Sequence, residues 1–152
     1  MDLNFVTPII QSTLSEQPYI LAIDDDDDNL IIISYILSTM GYAFTTTTSG
    51  DEGLILAQTT TPSLILLDIL LPGIDGFEII HHLKHNPKTK DIPIIAVTGL
   101  AFPEDKQRIL EAGCDDYLSK PYLIRDLENL ISHYIHKKYS FCTSLIMAKQ
   151  QN

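Results

Sequence analysis

Five polar residues, each following a short apolar run, carry the main chemical signal of this sequence: Asp24, Asp25, Asp68, Thr98 and Lys120. Three carboxylates repel one another when they stand together, but a hard divalent cation such as Mg²⁺ prefers oxygen ligands and neutralises them. A hydroxyl and an ammonium beside such an ion suit the binding of a phosphoryl group. The residue types therefore predict phosphate chemistry, provided that the fold brings the five side chains together.

The apolar runs read as strands that place these residues. They cover residues 19–23, 64–67, 92–97 and 117–118, and amphipathic segments lie between them. In a doubly wound parallel sheet the carboxyl ends of the strands line one crevice. Residues that are distant along the chain are then expected to meet at a single point.

The same patterns predict five strands and five helices. The second strand is expected over residues 42–47 and the fifth over 115–118, and residues 125–137 show an amphipathic helix with apolar residues at 127, 130, 131 and 134. The helices are predicted to begin near Asp28, after Ser49 of an S-x-x-E capping box, near Phe77, at Pro103 and at Arg125, the last running to Lys137.

Composition narrows the class of protein. The chain has 152 residues, enough for one domain, and its 20 acidic against 10 basic residues give a net charge of −10. Such an acidic surface repels nucleic-acid phosphates, so direct nucleic-acid binding is not expected. No apolar stretch approaches the length of about 20 residues needed to span a bilayer. We expect a cytoplasmic protein, in which Cys114 and Cys142 are reduced, unreactive thiols.

Four motifs together resemble the receiver domain of two-component response regulators. They are residues 20–25 (ILAIDD), 64–76 (LILLDILLPGIDG), 96–99 (AVTG) and 113–121 (GCDDYLSKP). Their separations also resemble those of the family, and the resemblance covers about residues 19–137. It implies a flavodoxin-like, three-layer α/β/α fold and a single-domain, chemotaxis-type receiver. The expected organisation is an extension over residues 1–18, the receiver domain over 19–138 and a tail over 139–152.

The resemblance implies a phosphorelay role centred on Asp68. This residue corresponds to the phosphoacceptor, which takes a phosphoryl group from a phosphohistidine of a sensor histidine kinase or a histidine phosphotransfer protein. Asp24 and Asp25 correspond to the acidic pair that binds Mg²⁺, together with Asp68 and the backbone carbonyl of Leu70. The protein would act on its own phosphorylation only, rather than as an enzyme with many turnovers.

By the same resemblance, three further residues convert phosphorylation into a change of shape. Lys120 and Thr98 would contact the phosphoryl oxygens, and Lys120–Pro121 would be a cis peptide. Tyr117 would be the aromatic switch, turning inward as Thr98 moves. The responding surface, the fourth helix, fifth strand and fifth helix, would then bind a downstream protein, and the short stretch after residue 138 suggests a separate target or a longer relay.

Two other functions compete with this interpretation. A Mg²⁺-dependent phosphatase of the haloacid-dehalogenase type also forms an aspartyl phosphate, but it places a second Asp where this chain has Leu70. A receiver that docks without being phosphorylated is the other alternative, and the intact set of site residues opposes it. The resemblance also implies that the positions two residues after Asp68 and Thr98 influence the lifetime of the phosphoryl group, and both are leucines here, Leu70 and Leu100. Because neither side chain can orient a water molecule, we expect slow dephosphorylation.

The histidines of the third predicted helix allow a second reading. His81 and His85 are four residues apart, a spacing that suits a transition metal, and His82 lies beside them. No cysteine or third ligand is evident nearby in the sequence. The pattern by itself therefore favours a solvated helix face, as it does for His133 and His136.

Overall fold

The structure is a computed structural model that describes the backbone of residues 17–100 and 102–150, with side chains through residue 138. Most of the extension predicted over residues 1–18 therefore lies outside the described residues. The elements alternate in the order β1 (Tyr19–Ile23), α1 (Asp27–Thr39), β2 (Ala43–Thr47), α2 (Gly50–Thr60), β3 (Leu64–Leu67), α3 (Gly76–Lys84), β4 (Ile94–Thr98), α4 (Pro103–Ala112), β5 (Asp116–Ser119) and α5 (Ile124–Gln150).

The five strands form one parallel sheet in the order β2-β1-β3-β4-β5. This is the flavodoxin-like order, in which the chain reverses its direction of winding between β1 and β3. The predicted fold class, a doubly wound five-stranded α/β/α sheet with five helices, is confirmed. Among the described helices, none is long and apolar enough to cross a membrane.

Side chains alternate between the two faces of the sheet and build two separate cores. Leu21 and Ile23 of β1 face α2, α3 and α4, whereas Ile20 and Ala22 face α1 and α5. The central strands β3 and β4 are fully buried, as expected for parallel strands covered by helices on both faces. Their continuous apolar runs follow from this double burial.

Several boundaries differ from the sequence-based prediction. Helix α1 begins at Asp27 rather than Asp28, because the Asp26 carboxylate caps it by accepting the Asp28 N–H at 2.8 Å. Strand β4 begins at Ile94 rather than at residue 92, since Pro93 has no N–H to donate to a ladder.

Helix α5 extends furthest from its prediction. It continues to Gln150 instead of ending near Lys137. The sequence contains no glycine or proline between residues 122 and 150, so it carries no signal that would stop the helix. The residues predicted to form a tail, 139–150, are therefore helical in backbone.

The capping box of α2 forms only in part. Ser49 accepts the N–H of Glu52 at 3.2 Å, as predicted. The Glu52 carboxylate, however, accepts a hydrogen bond from the Thr47 hydroxyl at 3.0 Å, and that hydroxyl accepts the Ser49 N–H at 3.1 Å. The Thr47 side chain of β2 thus bridges the Glu52 carboxylate and the Ser49 backbone.

Candidate functional site

Adjacent strands bring the predicted acids together at the carboxyl edge of the sheet. Asp24 follows β1 and Asp68 follows β3, and their backbone N–H groups extend the ladder to the carbonyls of Thr47 (3.2 Å) and Ile23 (2.9 Å). Carboxylate oxygens of Asp24, Asp25 and Asp68 lie within 4.8 Å of one another. Asp24 and Asp68 are buried whereas Asp25 is exposed, so the cluster opens to solvent on one side.

Lys120 reaches this cluster from the end of β5. Its Nζ lies 2.6 Å from Asp24 Oδ2 and 3.0 Å from Asp68 Oδ2, so one ammonium links both buried carboxylates. Its backbone N–H donates to the Thr98 carbonyl at 2.9 Å, and the Lys120–Pro121 peptide is cis, as expected. Burial acts to lower the pKa of Lys120, but the hydrogen bonds and charges of the two aspartates outweigh it and raise that pKa above its ordinary value.

The other oxygens of the buried carboxylates are held by nearby groups. Asp24 Oδ1 accepts the Asp26 N–H at 3.0 Å and the Asn29 side-chain amide at 3.5 Å. Asp68 Oδ1 accepts the Leu70 N–H at 3.0 Å, which curls the loop after β3 over the carboxylate. These hydrogen bonds therefore orient both side chains.

The acidic cluster fits a divalent cation of the hard, oxygen-binding class. Mg²⁺ takes octahedral oxygen ligands at about 2.0–2.1 Å, which places opposite ligands about 4.2 Å apart. Neighbouring ligands in the same shell lie about 2.9 Å apart, so the three carboxylates, with oxygens within 4.8 Å of one another, can share one such ion after their side chains move inward. Counted as ionised, they and Lys120 leave a net charge of two negative units, which one divalent cation balances.

Thr98 and Tyr117 are joined through the backbone of Leu100. The Thr98 side chain is buried at the end of β4, and its Oγ accepts the Leu100 N–H at 3.4 Å. The Tyr117 hydroxyl donates a hydrogen bond to the Leu100 carbonyl. Burial and the charge of Asp105 raise the pKa of Tyr117. The ring therefore already contacts the loop that leaves Thr98.

The approach to the cluster is open at Gly99. A Cβ built at this glycine would meet no atom within 4 Å, so space remains above the end of β4. The absence of a side chain at this position keeps that space free.

The family follows from comparison with known proteins. Residues 20–132 match the family described as the response regulator receiver domain. The chain belongs to the response regulator receiver domain family. This receiver domain is accordingly a signalling domain of two-component systems and not a classical enzyme, and the resemblance identified from the sequence is confirmed.

Curated relatives agree with this assignment. The receiver is 39% identical over 100 residues to the polar-differentiation response regulator DivK of Brucella ovis, an alignment that covers 66% of this chain and 81% of DivK. It is 37% identical over 110 residues to the DNA-binding dual master transcriptional regulator RpaA of Synechocystis, covering 72% of this chain. The aligned part spans only 46% of RpaA, about half of that longer protein.

Solved structures share the fold of this receiver. The chemotaxis response regulator CheY4 of Vibrio cholerae aligns with a TM-score of 0.73 and 28% identity, over 78% of this chain and 98% of CheY4. The receiver domain of the sensor histidine kinase PA1611 of Pseudomonas aeruginosa aligns with a TM-score of 0.73 and 29% identity, over 79% of this chain and 98% of that domain. The PA1611 domain was crystallised with a magnesium ion coordinated in its active site cleft.

The three acids and Lys120 that meet at the cluster were all predicted from the sequence, but the groups that hold them were not. The Asn29 side-chain amide contacts Asp24, and no role was assigned to it from the sequence. The backbone of Leu100 joins Thr98 to Tyr117. A backbone amide is present at nearly every residue, so no sequence pattern singles out this one.

Proposed function

We propose that Asp68 accepts a phosphoryl group from a phosphohistidine donor and becomes an aspartyl phosphate. The observation that carries this proposal is the convergence of three carboxylates within 4.8 Å, two of them hydrogen-bonded to one lysine. Mg²⁺ would be held by Asp24, Asp25, Asp68 and the Leu70 carbonyl. When bound, it supplies positive charge for the oxygens of the transferring group.

The transfer itself is a single displacement at phosphorus. A carboxylate oxygen of Asp68 forms the new P–O bond as the bond from phosphorus to the donor imidazole nitrogen breaks, and the electron pair of that bond stays on the nitrogen. The Lys120 ammonium lies 3.0 Å from Asp68 Oδ2, where it faces the negative charge that the phosphoryl oxygens bring. Thr98 would donate its hydroxyl hydrogen to one of those oxygens.

The signal would then pass through Thr98 and Tyr117 to the surface formed by α4, β5 and α5. The chain of contacts from Thr98 through the Leu100 backbone to the Tyr117 hydroxyl supports this route. A movement of Thr98 toward the phosphoryl group would pull on the Leu100 N–H and change the anchor of the tyrosine. A downstream protein would distinguish the two states at this surface.

The proposed partners are proteins, with no direct contact to nucleic acid and no insertion into a membrane. A sensor histidine kinase or a histidine phosphotransfer protein in the cytoplasm would supply the phosphoryl group. The net charge of −10 disfavours binding to a phosphate backbone. We assign the phosphorelay function to residues 19–138, the part that contains all of the site.

Labelling by a small phosphodonor tests the proposal. The full chain is incubated with radiolabelled acetyl phosphate, with Mg²⁺ or with EDTA, and the incorporated label is counted. We expect labelling only with Mg²⁺, loss of labelling in Asp68→Asn, and normal labelling in Asp51→Asn, which removes an exposed carboxylate from the first turn of α2.

The same experiment separates the two competing functions. A haloacid-dehalogenase phosphatase would hydrolyse many phosphate esters and accumulate little label. A docking receiver would take no label under any condition. Either result, or equal labelling of Asp68→Asn, would contradict the proposal.

A further inference from the structure

We propose that His81 of α3 and His85, the residue that caps the carboxyl end of this helix, form a binding site for a borderline divalent transition metal ion, of the class of Zn²⁺, Ni²⁺ and Cu²⁺. This site is separate from the acidic cluster and independent of the phosphoacceptor function. Both histidines are exposed to solvent. The proposal depends on their mutual placement and on a hydrogen bond that fixes one of the rings.

The two imidazoles stand next to each other on successive turns of the helix. Their ring centroids are 4.0 Å apart and the ring planes are tilted by 33°. Residues four apart on a helix are neighbours, with Cβ atoms about 5–6 Å apart, so the α-helix itself imposes this approach. Two imidazole nitrogens on adjacent turns of one helix are a recurrent bidentate arrangement for zinc.

A hydrogen bond sets the tautomer of His85 for metal binding. His85 Nδ1 lies 2.8 Å from the His81 carbonyl oxygen. Because a carbonyl oxygen only accepts, Nδ1 must carry the proton, and in the neutral ring Nε2 keeps a free lone pair. Metal-ligating histidines almost always donate their other ring N–H to a carbonyl or carboxylate in this way, which orients the ring and raises the basicity of the ligand.

The remaining histidines lack this arrangement. The His82 ring stands edge-on to His81 with centroids 6.0 Å apart, because consecutive helical residues point in different directions. On α5, the His133 ring packs edge-on against Tyr134, with centroids 5.0 Å apart. Among the described histidines, only His81 and His85 therefore have neighbouring rings on adjacent turns.

Ligand chemistry separates this site from the acidic one. Imidazole suits zinc, nickel and copper, whereas carboxylate oxygens suit magnesium. Among the described residues, only the acidic cluster brings three acidic, histidine or cysteine ligands together, so water molecules would complete the shell at the histidine pair. Glu78 lies one turn before His81 on the same exposed face and adds negative charge nearby.

Metal binding at this pair would brace the last turn of α3. That turn also carries Lys84, whose Nζ donates to the Ile92 carbonyl at 3.1 Å and lies 3.5 Å from an Asp115 carboxylate oxygen. An ion that joins His81 to His85 holds the turn from its solvent side. Because the ion binds the folded helix, it raises the stability of the native state.

Titration of the untagged, metal-free full chain tests the proposal. Isothermal titration with ZnCl₂ is performed in excess Mg²⁺, which keeps the acidic cluster occupied. We expect one site, with the affinity at least about tenfold weaker in His81→Ala and in His85→Ala, by analogy with the loss of groups that support a metal site. His82→Ala and His136→Ala are the matched controls and are expected to retain the affinity.

Three outcomes would overturn the proposal. They are the absence of zinc binding at millimolar metal, equal weakening by His82→Ala or His136→Ala, and loss of zinc binding in Asp25→Asn rather than in the α3 variants. Melting temperatures of the histidine variants without metal check that the exposed substitutions leave the fold intact. Phosphorylation by acetyl phosphate is measured in the same variants and is expected to be unchanged, which keeps this test separate from that of the phosphoacceptor role.

Discussion

At the scale of single residues, Lys120 decides the charge balance of the site. Its ammonium contacts carboxylate oxygens of both Asp24 and Asp68, at 2.6 and 3.0 Å. Each of these carboxylates is buried, and a buried charge is stable only when it is paired. The lysine therefore has two roles in our proposal, holding the metal-free site together and facing the phosphoryl group.

Replacing this lysine is expected to separate the two roles. Removal of one partner from a buried ion pair costs about 3–5 kcal/mol, and since the Lys120 side chain remains 20% exposed, we expect a smaller loss of about 2–3 kcal/mol for Lys120→Gln without metal. Mg²⁺ should restore part of this stability, because it replaces the missing positive charge, while labelling stays defective. Urea unfolding with and without Mg²⁺ measures the effect, with the exposed Lys88→Gln as control. Equal destabilisation in both conditions would contradict this account.

The leucines beside Asp68 and Thr98 are expected to prolong the phosphorylated state. Leu70 is 53% exposed at the rim of the site, where an apolar side chain gives an attacking water nothing to bond to. We expect Leu70→Asn to shorten the phosphoryl half-life severalfold relative to the wild type, as measured by decay of the radiolabel. Ile55→Asn, an exposed apolar residue on α2, serves as control. A wild-type half-life of seconds would refute the hypothesis.

At the scale of elements, a close approach of α3 to the loop after β3 shapes the site. A Cβ at Gly76 would lie 2.5 Å from Ile69 Cα and 2.6 Å from the Ile69 carbonyl oxygen. Backbone atoms cannot turn away as a side chain does, so only glycine fits here. The contact holds the segment between Asp68 and Leu70, which would carry two of the metal ligands.

Substitution of this glycine should disturb the fold and the metal site together. We expect Gly76→Ala to lower the free energy of unfolding by about 1–3 kcal/mol, as overpacking does, and to weaken Mg²⁺ binding because Ile69 must shift. Gly99→Ala is the control for stability, since its Cβ meets no atom within 4 Å. Urea unfolding and a Mg²⁺ titration measure the two effects. An unchanged Mg²⁺ affinity in a destabilised Gly76→Ala would mean that the loop is held by other contacts.

At the scale of the whole molecule, Tyr134 ties α5 to the edge strand of the sheet. Its hydroxyl donates to the Asp115 carbonyl at 2.9 Å and lies 3.0 Å from the Asp116 carboxylate. Burial, the hydrogen bond to Asp116 and the charges of both aspartates raise the pKa of Tyr134 to about 12. The folded state therefore holds this proton more tightly than the unfolded chain does.

This difference predicts how stability falls in alkaline solution. Below pH 10 Tyr134 is protonated in the folded and in the unfolded state, so its contribution to stability is complete. As the pH rises from 10 to about 12, the unfolded state loses the proton first, and this contribution to stability disappears. We expect the unfolding free energy to fall less steeply over this range in Tyr134→Phe than in the wild type. Denaturant unfolding at several pH values measures the slopes. Identical slopes would show that Tyr134 does not contribute.

The sequence by itself determined the element types and the family, and it predicted the residues of the site. The alternation of buried runs with amphipathic segments is local information, and it located all five strands and five helices. The acids, the hydroxyl and the lysine stand out because their types are unusual at the ends of apolar runs. Their chemical roles remain proposals.

Only the tertiary structure decided how these groups are held. The parallel pairing of β1 with β3 brings Asp24 to Asp68, and β5 brings Lys120 to both. The sequence also did not reveal the Leu100 backbone link, the extension of α5 to Gln150 or the tautomer of His85. Such features depend on backbone groups and on contacts between distant residues, which residue types and spacings do not encode directly.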